Sequence, residues 1–491
     1  MLSYDMTKNG SDSLYHYLYK CIKNDVLQGT LTAGDKLPTK RPFAEHLGVS
    51  VITVENAYAQ LLTEGFIYSE PRKGFFVADI AERLKKSGLA ATLSQQNFPE
   101  SREAQRISAP DDLPPRFQKL QSRARSKIIA DFTSNQSETS AFPFSTWAKI
   151  MRKVLCEQQN ELLERSPYGG VLPLRVAIAK MLKGTRNLDV SPDQIIVGAG
   201  SDYLYALLVQ LLGFDKKYGV EDPGYSKISK IYRKLNVVCN FIPLDEQGVR
   251  IDQLEETCTD VVHLSPSHHF PTGIVTPVSR RYELLSWASK SSNRYIVEDD
   301  YDSEFRMVGK PIPALQNIDV QEKVVYINSF SKTLASTVRV SYMVLPRSLV
   351  EKFHKEFSFY TCTVSNFEQL ALARYIGEGH FEKHVNRMRN FYRHRRDALL
   401  SAIRKSMLRD FAAISEEDAG LHFILKINTA LSDEEFCNAA KEKGVVIGAL
   451  SDYYTQAEPS AHQFIMNYSA VPEKQMPRAM EKLYEVVKSI S

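Results

Sequence analysis

Five short apolar runs between residues 195 and 330 each end in residues able to do chemistry. QIIV runs into Gly198-Ala-Gly-Ser-Asp202, a strand-to-helix turn where Gly200, Ser201 and Asp202 present backbone N–H groups to a phosphate. YGV runs into EDPGY with Tyr225, and VVHL into SPSHHFPTG. YIVE is followed by Asp299, and Tyr301 stands two residues further on. VVYIN leads to Ser329, Ser331 and Lys332, and Arg339 lies seven residues beyond the lysine. A lysine amine can form a Schiff base with an aldehyde. A carboxylate can keep a pyridine nitrogen protonated, a phenol can reach a ring oxygen, and hydroxyls with an arginine can hold a phosphate. These are the parts of a pyridoxal 5′-phosphate site, in chain order. Each alone is weak, since most lysines are solvated surface groups and paired acids often cap helices.

Elements that position such a set are α/β in kind. From about residue 129 onward, β-branched runs alternate with longer amphipathic stretches, the pattern of a mostly parallel sheet between helices. Ligands of such sheets sit at the carboxyl ends of the strands, where these five loops fall. The last stretch, about 375–491, is expected to form a small α+β subdomain.

The first 80 residues form a different zone. Leu14 to Leu27 has helical spacing, and GTLTAGDKLPT is a turn. A short helix follows, with Thr39 as its N-cap, Pro42 in its first turn and Gly48 closing it. Ser50 caps the next helix, Val51 to about Leu62, and Ser69–Ala78 reads as a winged hairpin. This zone holds eight Lys/Arg against nine Asp/Glu, so its basic groups are local. Lys40, Arg41, Arg72 and Lys73 suit phosphates, while Ser50, Thr53 and Asn56 suit base edges. Residues 81–128 carry scattered prolines, and 101–127 hold seven Arg/Lys, which reads as a flexible basic linker.

With 491 residues, 43% hydrophobic and 24% charged, the chain is expected to fold as about three globular units. A net charge of +4 gives no argument of its own for nucleic acid or membrane. Six scattered cysteines without a CxxC pair exclude a disulfide framework and a cysteine-bound metal site. A polar N-terminus and the absence of a long apolar run point to a cytoplasmic protein without a membrane segment.

Residues carry a resemblance over nearly the whole chain. GDKLPTKRPFAEHLGVSVITVENAYAQLLTEGFI resembles the winged helix of GntR-family regulators, although Val51 stands where those proteins usually place Arg. SPYGGVLPLRVAIAKMLKGTRNL, VEDPGYS, SPSHHFPTG, VEDDYDSEF and SFSKTLASTVRVSYMVLP resemble fold-type I (aspartate aminotransferase-like) enzymes. The two joined by a linker are similar to MocR/GabR-type transcription regulators. That resemblance implies a head-to-tail homodimer on operator DNA. It implies Lys332 as the cofactor lysine, Asp299 and Tyr301 at the ring, and Tyr225 stacked on it. Ser201, Asp202, Ser329, Ser331 and Arg339 would line the phosphate, with Tyr168 reaching the partner's. Phe270 replaces an Asn of the aminotransferases, so Tyr301 must carry the ring-oxygen contact alone. Ile465 replaces the arginine that clamps an amino acid's carboxylate, and Lys227 replaces a second arginine of the GABA-responsive members.

The expected function is therefore a transcription regulator that senses pyridoxal phosphate itself, or an amine or amino acid effector. Ile465 tilts the choice toward pyridoxal phosphate and argues against a working aminotransferase with an accessory helix-turn-helix. Lys332, Asp299, Tyr301 and Arg339 argue against a GntR repressor that has lost its cofactor, since such a domain needs none of them.

Overall fold

The computed structural model describes residues 2–10, 12–79, 128–134, 142–306, 313–418 and 420–489. All of the expected linker except Ile128 lies outside the described residues. Contacts divide the chain into two compact units, Met1–Pro114 and Pro115–Ser491.

The first unit is a winged helix-turn-helix. Helix α1 (Leu14–Gln28) buries Leu18, Ile22 and Val26, one apolar face at helical spacing. Helix α2 (Lys40–Leu47) ends at Gly48, which adopts the left-handed φ of 65° that closes the turn. Helix α3 (Val51–Thr63) starts at Ser50, whose Oγ accepts the Thr53 N–H at 3.2 Å. Strands β1 (Ile67–Glu70) and β2 (Gly74–Val77) pair antiparallel into the wing. Val54, Ala57, Tyr58 and Leu61 of α3 share the core with Phe43 and Leu18.

The second unit is built on an eight-stranded sheet. A short strand, β3 (Ala130–Asp131), precedes it. The large sheet comprises β4 (Ile195–Gly198), β5 (Lys217–Asp222), β6 (Val238–Asp245), β7 (Gly248–Val249), β8 (Val261–Leu264), β9 (Tyr295–Asp299), β10 (Val324–Ser329) and β11 (Ser341–Val344). Their spatial order is β4-β11-β10-β9-β8-β5-β6-β7. The pairs β10/β9, β9/β8, β8/β5 and β5/β6 are parallel, whereas β11 is antiparallel to both its neighbours. Two hydrophobic clusters include side chains of alternate faces, Val197 and Tyr326 in one, Ile196 and Ile327 in the other. Burial of both faces explains why these strands read as continuous apolar runs.

A second layer holds the sheet β12 (Ala412–Ser415), β13 (His422–Ile427), β15 (Gly448–Ala449) and β16 (Gln463–Asn467), in the order β12-β13-β16-β15. Strand β14 (Val445–Val446) pairs in parallel with β3. Ala130 and Phe132 thereby join the core of this layer, which otherwise draws mainly on residues after 388. The small layer is thus not made from the C-terminal stretch alone. No helix among the described residues is long and apolar enough to cross a membrane.

Candidate cofactor site and nucleic-acid interface

The carboxyl ends of β5, β8, β9 and β10 converge on a cavity of about 300 Å³. Ser201, Asp202, Tyr225, Asp299, Tyr301, Ser329, Ser331, Lys332 and Arg339 all line it. A four-residue helical turn, Phe330–Thr333, directly follows β10 and carries Lys332. Ser329 caps that turn, its Oγ accepting the Ser331 N–H at 3.2 Å and the Ser341 hydroxyl at 2.8 Å. Burial lowers the affinity of the Lys332 amine for a proton, and Asp302 opposes that shift. The neutral amine is the form that attacks an aldehyde, and burial raises its share.

Asp299 is the last residue of β9 and is buried. Tyr205 donates its hydroxyl to Asp299 Oδ2. Tyr205 lies one helical turn after Ser201 on the helix α4 (Ser201–Leu212). Nε2 of His263 stands 3.5 Å from the same oxygen, while its Nδ1 meets the Tyr232 hydroxyl at 2.7 Å. That Nε2 is buried and has no hydrogen-bond partner. Tyr205 therefore fixes the carboxylate, with His263 beside it, and Asp299 lines the cavity. Tyr301 keeps its proton, because burial, then Asp302 and Asp299, raise its pKa far above the usual value. Its hydroxyl lies 3.2 Å from Nδ1 of His268, which in turn meets Asp302 at 2.9 Å.

The other end of the cavity is shaped by Gly200 at the start of α4, with φ 92° and ψ 159°. An added Cβ there would stand 2.6 Å from Cζ of Arg339, so glycine is needed for both conformation and space. Lys227 Nζ lies 2.6 Å and Arg339 Nη2 3.4 Å from Oδ2 of Asp202. The Asp202 carboxylate would repel a phosphate, so its contribution is its backbone N–H and its hold on these two cations. Ser331 Oγ donates to the Val338 carbonyl at 3.0 Å. A helix start, two cations and several hydroxyls gathered in a glycine cradle fit a phosphate; a buried acid, a protonated phenol and a buried lysine fit a pyridine aldehyde.

Tyr168 does not line the cavity of its own chain. Its hydroxyl bonds Nδ1 of His354, and its ring lies 5.8 Å from Phe353. Tyr225, about half exposed, stands edge-on to Phe270 at 6.0 Å. Ile465 is buried in β16. Residues that sequence reasoning missed are Tyr205, Glu221, His263, His268, Asp302, His422 and Asn467. Burial raises the pKa of Glu221 far above its usual value, and its carboxyl lies 3.4 Å from Nε2 of His269. His269 is pushed down to about 3 by burial and by His268. Of these, only Tyr205 carried a local signal, being four residues from Ser201 on one helix face.

In the first unit, the expected nucleic-acid residues fall on α2, α3 and the wing. Ser50 and Thr53 hydroxyls lie 2.8 Å apart and cap the recognition helix; Asn56 is exposed one turn on. Lys40 is paired with Glu55 at 2.6 Å, and Lys73 with Glu70 at 2.9 Å. Arg41 and Arg72 are exposed and make no ion pair among the described residues. Val51 and Ile52, at the start of α3, are exposed in place of a basic group.

Comparison with known proteins agrees with both units. Residues 14–77 match the family model for bacterial regulatory proteins of the gntR family, and 127–483 that for aminotransferase class I and II. The uncharacterized HTH-type transcriptional regulator YdeL of Bacillus subtilis is 35% identical, with 96% of each chain covered. The probable rhizopine catabolism regulatory protein MocR of Rhizobium meliloti is 30% identical, over 96% of this chain and 93% of that one. Among solved structures, the multiple substrate aminotransferase of Thermococcus profundus superposes with a TM-score of 0.67. It is 25% identical and covers 79% of this chain and 97% of its own.

Proposed function

The chain belongs to the HTH-type transcription regulators in which a gntR winged helix is fused to an aminotransferase class I and II domain; on that premise we propose that pyridoxal 5′-phosphate, held at Lys332, is its sensing group. The observation that carries this reading is the meeting of Lys332, Asp299, Tyr301 and the Gly200–Arg339 cradle on one cavity. Bound there, the cofactor supplies an aldehyde for primary amines and an electron-withdrawing ring.

This chain's residues do the rest. Asp299 holds a proton on the ring nitrogen, and Tyr205 fixes its carboxylate, with His263 3.5 Å away. Tyr301 donates to the ring oxygen, a contact that Phe270 cannot make. Arg339, Ser201 and Ser329 hold the phosphate, and Tyr225 covers the ring face. Tyr168 reaches the second subunit of a head-to-tail homodimer. A ligand that binds one arrangement of the dimer more tightly than another shifts the population, and with it the geometry in which two winged helices meet operator DNA.

Titration of the purified chain with pyridoxal phosphate tests this. A visible absorbance band should appear, and borohydride followed by peptide mapping should place the label on Lys332. A label on a different lysine, or no band, refutes the reading.

A further inference from the structure

The cavity has two chemically different ends. Lys227 and Arg339 stand at the Gly200 end, both against Asp202. The opposite wall presents Phe270, Leu421, His422, Thr455 and Asn467 to the cavity, from β13, β16 and the loops beside them. Register sets Ile424 against Ile465 and His422 against Asn467, and alternation places all four on one face of the sheet. Ile424, Leu450 and Ile465 form a buried cluster, with Phe270, Tyr453 and Tyr454 packed on it. Phe270 stands edge-on to His422 and Tyr453, each at 5.2 Å.

Among the described residues that line the cavity on this side, only His422 can become a cation. Its Nε2 meets the Pro271 carbonyl at 3.0 Å, so that nitrogen donates. Burial, then His268, keeps the ring neutral by lowering its pKa far below the usual value. A carboxylate placed here would be desolvated without a charged partner, which is costly. An aromatic or branched side chain placed here would lose water to matching surfaces.

We propose that the effector is a primary amine whose far end is aromatic or branched apolar and carries no carboxylate. The amine faces Lys332, and the far end lies against Leu421 and Phe270, the latter backed by the buried Ile424–Ile465 cluster. This rests on the reading that pyridoxal phosphate occupies the Gly200 end, which requires an amine as its partner. It sets the chain apart from one that recognises α-amino acids.

Matched pairs test it: 2-phenylethylamine against phenylalanine, and 3-methylbutylamine against leucine. Each is titrated calorimetrically into the full-length chain loaded with pyridoxal phosphate, and thermal unfolding is followed in parallel. Each amine should bind at least about tenfold more tightly than its amino acid. Ile465→Arg should reduce or invert that ratio by about tenfold, because the guanidinium donates two hydrogen bonds to the carboxylate. Phe270→Ala should weaken both amines, which keeps the test open if the arginine variant folds poorly. Equal or tighter binding of the amino acids overturns the proposal. So does a chain whose DNA affinity answers to pyridoxal phosphate alone, with no amine bound. If no visible band forms at all, thermal stabilisation of the cofactor-free chain still compares each pair. A retained preference for amines then upholds the wall and rejects the cofactor, whereas no preference rejects both.

Discussion

Gly200→Ala isolates the phosphate cradle better than any charge deletion. At φ 92° and ψ 159° the residue occupies backbone space essentially reserved for glycine, and forcing alanine there costs about 1–3 kcal/mol. The new methyl would also stand 2.6 Å from Cζ of Arg339, so the guanidinium must leave its place. Losing one charge-assisted hydrogen bond to a phosphate removes about 1.5–3 kcal/mol of binding. At about 1.4 kcal/mol per decade, the affinity for pyridoxal phosphate should fall by about 10- to 150-fold. Titration of the visible band gives that affinity, and thermal unfolding of the cofactor-free chain gives the strain. Arg339→Gln separates the two contributions, since it should weaken cofactor binding comparably while leaving the backbone unstrained. An alanine variant that binds the cofactor within about twofold of the parent and melts unchanged would refute the cradle.

Lys332→Met should abolish the visible band and raise the melting temperature of the cofactor-free chain. Burial lowers the amine's pKa below its usual 10.5, so the folded state pays for protonation at neutral pH. The gain from Met should therefore be largest at and below neutral pH and should shrink as pH rises toward 10.5; a gain that grows with pH would contradict it. Arg41→Ala and Lys73→Ala should weaken DNA binding similarly for all sequences and lower the salt slope by about one unit each. Asn56→Ala should instead change which sequence is preferred, and unchanged binding in all three would move the interface elsewhere.

The parts of the site that follow a strand directly were legible in the sequence. Asp299, Tyr301, Lys332 and the Gly200 turn each sit next to an apolar run, and parallel strands buried on both faces announce themselves as such runs. What holds Asp299 was not legible. His263 reaches it because β8 lies beside β9 in register, His263 opposite Val297, so that the histidine and the acid share a face. Strand order is a tertiary fact that no local pattern encodes. The same holds for His268 and Asp302, which meet across two loops, and for Ala130 and Phe132, which pack into a layer whose other members lie far along the chain. Asp202 shows the converse limit. Its position at a helix start was readable, but its pairing with Lys227 and Arg339 depends on side chains from two other elements.

The central claim is that the cofactor cavity governs DNA binding by the winged helix. Its most direct test is the affinity of the full-length chain for a genomic fragment selected by that chain. Fluorescence anisotropy is recorded with and without pyridoxal phosphate and amine, for the parent and for Lys332→Met. A coupling of about 5- to 150-fold in the parent, absent in the variant, is the result the account requires. Identical DNA affinity under all conditions, with cofactor demonstrably bound to the parent, would contradict it.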